Sequence, residues 1–142
     1  MKKVYFLFVI ATLLFKVAAA QQPPIEEKYL MDPAELATRI ETNSNQSLIL
    51  CLGPQDLIKG SVDIGEGREA ETIRKLKTYL EKQDKNRAIV IYCGCCPLTK
   101  CPNTRPALAQ ALKMGFTKVS ILNLATNLKV DWLDKNYPAK EE

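Results

Sequence analysis

Four of the five cysteines in this 142-residue chain lie between residues 93 and 101, in the stretch Tyr92 to Ala107, YCGCCPLTKCPNTRPA. The chain contains no histidine. That absence excludes a Ser-His-Asp triad, a Cys-His dyad, every imidazole-ligated metal site and any imidazole acid or base. Chemistry here must run on sulfur, carboxylate, lysine or backbone groups. Of these, sulfur needs the least help. Backbone N–H groups and a helix N-terminus lower a thiol's pKa from about 8.5 toward neutrality or below, and the thiolate is then the nucleophile without a general base. Cys93 is the candidate nucleophile, and Lys100 and Arg105 are positive groups close enough in sequence to hold an anion or brace the loop. For Arg105 bracing is the stronger reading.

The elements that would position this loop follow from the apolar pattern. Ala88 to Tyr92 (AIVIY) and Ser47 to Leu52 (SLILCL) are short continuous apolar runs, the signature of strands covered on both faces. Tyr29 to Met31, Ser61 to Ile64 and Lys118 to Leu122 are expected as further strands. Asp32 before Pro33, with Leu36 and Ile40 on one face, predicts a helix from Pro33 to Glu41. Ile73, Leu76 and Leu80 predict another from Ala70 to Lys82. A third is expected from Thr104 to Met114, capped by Thr104 and stopped by Gly115, and a fourth from Asn127 to Lys135. Alternating strands and helices imply a single α/β domain, an open and mostly parallel sheet with helices on both faces. Ligands of such sheets bind outside the carboxyl ends of the strands, where Cys51 and Cys93 both fall.

Strand, Tyr-Cys, long loop, helix with Arg at its start, then KMGFTKVSIL and a Trp followed by NYP resembles a rhodanese-like domain over about Tyr29 to Pro138. The loop is similar to the CGCCP...CPN.RPA version found in secreted rhodanese-like proteins of the Bacteroidota group. The resemblance implies a five-stranded sheet and a catalytic cysteine at Cys93. It also implies a sulfane sulfur carried there as a persulfide, taken from a thiosulfate-like donor and passed to a thiol acceptor. Backbone amides from Gly94 to Thr104 would cradle the anionic sulfur, and the strands ending in Cys51 and Cys93 would be neighbours. No cofactor is implied.

The remaining cysteines leave alternatives open. Cys95, Cys96 and Cys101 fit a loop disulfide, a sulfur or redox relay, or, with Cys93, a soft-metal site for Cu(I) or Zn(II). Adjacent Cys95-Cys96 and the lack of paired C-x-x-C spacing place metal second. An inactive, disulfide-stapled relative is a third possibility. Cys51 is most simply a small buried hydrophobe, unless its sulfur shares a cleft with Cys93. A phosphate-cradling loop is disfavoured, since eleven residues separate Cys93 from Arg105 and three separate Cys101 from it.

Composition narrows the setting. At 46% hydrophobic and 25% charged, the chain has enough apolar content for one core. Residues 2 to 20, KKVYFLFVIATLLFKVAAA, have the layout of a secretory signal peptide with cleavage expected near Ala20. The apolar run is too short for a membrane anchor. A flexible lead-in over residues 21–27, a domain over 28–138 and a tail over 139–142 follow. Taking Lys2, Lys3 and Lys16 from the 20 basic residues leaves 17 against 16 acidic ones. A near-neutral chain with 7% aromatics lacks the footprint of a nucleic-acid binder. A monomer in a periplasm or outside the cell is the expectation.

Overall fold

The computed structural model describes residues 23–141. The expected leader, its cleavage point and the first two residues of the lead-in lie outside that range. Strands β1 (Leu30–Met31), β2 (Leu48–Cys51), β3 (Ser61–Asp63), β4 (Ile89–Tyr92) and β5 (Val119–Leu122) form one sheet. Its order is β1-β5-β4-β2-β3, and every neighbouring pair is parallel. Helices α1 (Pro33–Glu41), α2 (Ala70–Glu81), α3 (Thr104–Lys113) and α4 (Leu128–Asp131) connect and cover the strands.

Period-two alternation divides the core between the faces. Leu48, Leu50, Ile89 and Ile91 face α2 and α3, packing with Leu76, Leu80, Ala107 and Phe116. Ile49, Cys51, Val90 and Tyr92 face the other way and pack with Leu36, Leu128 and Trp132. The two apolar runs SLILCL and AIVIY are thus adjacent inner strands, in register Leu50 to Ile91 and Cys51 to Tyr92.

Local chemistry sets most boundaries. Asp32 caps α1, accepting from the Ala34 N–H at 2.7 Å, with Pro33 supplying the first turn. The last helix differs from expectation. It stops at Asp131, and a separate 3-10 turn covers Leu133–Lys135. Trp132 interrupts it because its fully buried indole donates to the Pro138 carbonyl at 2.9 Å, a bond that fixes the chain locally out of helical course.

The ends of the described chain are docked. The Pro23 carbonyl accepts from Arg105, and Ile25 packs on the core, so the lead-in is held before residue 28. Residues 139–140, expected to start a tail, instead bridge Ile58 through Ala139 and donate from the Lys140 N–H to the Leu57 carbonyl at 2.8 Å. The Lys140 ammonium also pairs with Asp56. None of the described helices is long and apolar enough to cross a membrane.

Candidate active site: a thiol cluster at the end of β4

β4 delivers Cys93 one residue past its last ladder position, at the carboxyl end of the sheet. The continuing alternation turns Cys93 away from the Tyr92 face, toward the start of α3. Gly94 then takes φ +91°, a conformation that side chains rarely adopt, and a Cβ there would meet Leu128 at 3.1 Å. Its carbonyl accepts from the Leu128 N–H at 2.8 Å, anchoring the loop to α4. This reversal folds Cys95 back on Cys93, with the two sulfurs 3.2 Å apart. Cys96 follows, 3.4 Å from Cys95.

Cys93 is only 3% exposed, and burial by itself would raise its pKa. Hydrogen-bond donors reverse that effect. The Cys101 thiol is the strongest, followed by the side-chain amide of Asn103 and the backbone N–H and thiol of Cys95. Together they pull Cys93 down to about 5, so it is a thiolate at neutral pH. Asn103 Nδ2 lies 3.2 Å from the sulfur, and its Oδ1 accepts from the Arg68 N–H at 2.9 Å, which fixes the orientation of the amide. Cys95 and Cys101 are pushed the other way. Burial and the adjoining sulfurs raise Cys95 to about 12, and the Cys93 thiolate together with burial raises Cys101. The cluster carries its negative charge on Cys93.

A cavity of about 10 Å³ opens beside Cys93, Cys96, Cys101 and Thr104. That is close to the least volume that holds one water-sized group. Thr104 Oγ1 is buried and has no hydrogen-bond partner, the one such side-chain atom among the described residues. An unpaired buried hydroxyl costs free energy unless something accepts from it.

Several sequence expectations need revision. Thr104 is the first residue of α3 and not its cap. The cap position belongs to Asn103, whose side chain is committed to Cys93 and Arg68 and makes no capping bond. Part of the amide cradle expected from Gly94 to Thr104 is spent within the backbone, while the Cys95 N–H does reach Cys93. Leu98, Lys100 and Cys101 donate to the carbonyls of Leu124, Pro97 and Leu98. The N–H groups of Asn103 and Thr104 point to Cys101, so the helix end acts on Cys93 through the Cys101 thiol. Arg105 braces the loop by donating to the Cys101 carbonyl at 3.2 Å and to Pro23. Lys100 is exposed and shares an outer groove with Arg105, apart from the cavity at Cys93. Cys51 is on the opposite face of the sheet, 3.2 Å from the Gly53 carbonyl, and burial raises it to about 11.

Two residues of the site escaped sequence reading. Asn103 was visible only as part of the CPN string. Gly53 follows directly after the SLILCL run, and its role is close approach: a Cβ there would fall 2.6 Å from the Cys93 sulfur.

The sulfurs of Cys93, Cys95 and Cys96 lie within 4.8 Å of one another, near enough to meet at one ion. The observed separations of 3.2 and 3.4 Å are shorter than the roughly 3.8 Å edge of a tetrahedron with zinc–sulfur bonds of about 2.3 Å. Thiols sharing protons fit these distances better than thiolates around a metal.

No family model and no curated protein matches the chain. Solved structures do. A crystal structure of a Bacillus halodurans protein aligns with TM-score 0.61 at 19% identity, over 80% of this chain and 77% of its own. The NMR structure of a rhodanese-like domain from an Anabaena protein aligns with TM-score 0.57 at 18% identity, over 83% and 81%. A full-length Lactobacillus plantarum protein aligns with TM-score 0.57 at 17% identity, over 80% and 88%. The five-stranded parallel sheet with four helices is therefore the fold of a rhodanese-like domain.

Proposed function

We propose that the chain is a rhodanese-type sulfurtransferase that carries sulfane sulfur as a persulfide on Cys93. The observation that supports it most is the buried Cys93 sulfur, contacted by the Asn103 amide and the Cys95 thiol beside a cavity of about 10 Å³ lined by the unpartnered Thr104 hydroxyl. The outer sulfur of a persulfide is a single anionic atom, and it would give that hydroxyl an acceptor.

In the loading step the Cys93 thiolate attacks the sulfane sulfur of a thiosulfate-like donor. The new S–S bond forms as the donor's S–S bond breaks, and sulfite leaves with the electron pair. In discharge an acceptor thiol bonds to the outer sulfur, and Cys93 leaves as the thiolate. Neither step needs a metal or an added oxidant. Residues 1–20 would direct this chemistry to a periplasm or the exterior, and protein recovered from that compartment should begin at Gln21 by intact mass.

The test incubates purified protein with thiosulfate and weighs it intact. One added sulfur is expected, and none on Cys93→Ser. Equal loading of the serine variant contradicts the assignment.

A further inference from the structure

A sulfur seated in the cavity beside Cys93 must still reach an acceptor. Every residue lining that cavity is buried except one, and the exception is Cys96, which is partly exposed. Cys93 and Cys101 are 3% and 1% exposed, so neither presents the stored sulfur at the surface to an acceptor thiol borne on a peptide. Cys96 touches both sides. Its sulfur is within 4.8 Å of that of Cys93, and a persulfide's outer sulfur stands about 2.05 Å from the inner one.

We propose that Cys96 is a relay thiol, taking sulfane sulfur from Cys93 inside the cavity and presenting it at the surface to a thiol acceptor. The proposal rests on the reading of Cys93 as the persulfide carrier. The exchange balances without a co-reactant. Cys96 sulfur bonds to the outer sulfur, the bond from that atom to Cys93 breaks, and the electron pair remains on Cys93 as thiolate. The proton of the Cys96 thiol passes to the terminal sulfur of the new persulfide. The acceptor thiol then repeats the exchange at Cys96.

Two features favour this direction over the competing one. Attack on the inner sulfur would expel hydrosulfide and leave a Cys93–Cys96 disulfide. The thiol with the lower pKa departs faster, and the donors around Cys93 make its thiolate the better leaving group. Cys95 spans the pair, its sulfur 3.2 Å from that of Cys93 and 3.4 Å from that of Cys96, which keeps the two exchanging sulfurs side by side.

The experiment loads the protein with thiosulfate, removes the donor, and follows discharge to glutathione, counted per loaded molecule so that differences in loading drop out. Cys96→Ser, a partly exposed position, should hold its sulfur on Cys93 and discharge at least about tenfold more slowly, because the positioned internal thiol is lost. In the unmodified protein, rapid acid quench and fragmentation should catch part of the sulfur on Cys96. Discharge of Cys96→Ser at the unmodified rate overturns the relay and leaves the Cys93 assignment standing. Release of free sulfide with a Cys93–Cys96 disulfide also overturns it. Failure of the unmodified protein to load refutes the Cys93 reading, and the relay falls with it.

Discussion

Two neighbouring strands each deliver a cysteine at the carboxyl end of the sheet, and the two thiols meet opposite fates. Cys51 closes β2 opposite Tyr92 in the ladder, and Cys93 is the first residue past β4. Both are removed from water, at 0% and 3% exposure. Burial pushes Cys51 up to about 11, whereas Cys93 is held near 5. Exposure therefore does not separate them. The difference is which way the alternating side chains point. Cys51 faces the apolar layer of Ile49, Val90 and Trp132, and its sulfur lies against a carbonyl. Cys93 faces the start of α3, where a thiol, a side-chain amide and a backbone N–H converge on it. A nucleophile is made here by donors, against the effect of burial.

That contrast can be broken at its strong side first. Cys93→Ser should delete the thiol that alkylates in mildly acidic buffer, leaving no iodoacetamide-reactive cysteine below about pH 7. Reactivity that persists there would assign the thiolate elsewhere. Cys101→Ala removes the strongest donor. A hydrogen bond to a charged group is worth about 1.5–3 kcal/mol, so the Cys93 alkylation midpoint should move up by about two pH units. Asn103→Ala removes the second donor, and a rise of about one unit is expected. An unmoved midpoint in both variants would mean that the donors do not set the charge. Cys51→Ala should have the smallest effect, with sulfur loading within about twofold of the unmodified rate, since that side chain reaches only the core of the other face. A larger loss would show that the two sulfurs are coupled through the sheet.

The frame of this site was legible because it rests on patterns the sequence carries locally. SLILCL and AIVIY became two adjacent inner strands, and the helix from Pro33 to Glu41 is found with the expected limits. The position of Cys93 at a strand end followed directly. What sets its charge did not, since Asn103 and Cys101 act across a loop whose path no period describes. Helix-end amides were expected on Cys93 and fall on Cys101, a displacement only the fold reveals. The closeness of Gly53 to Cys93 comes from strand neighbours far apart in sequence, which no local pattern announces. The last helix was overextended because Trp132 fits a helical pattern until its indole is seen bonded to Pro138.

The most direct measurement is the pH dependence of sulfur loading from thiosulfate, with the sulfur located by fragmentation. A thiolate is the loading species, so the rate should be lost as pH falls through the Cys93 pKa. Sulfur on Cys93 is expected, with a midpoint near pH 5 and a plateau to neutrality. A rate that rises only toward about pH 8.5, as for an ordinary thiol, or sulfur that first lands on another cysteine, would contradict it.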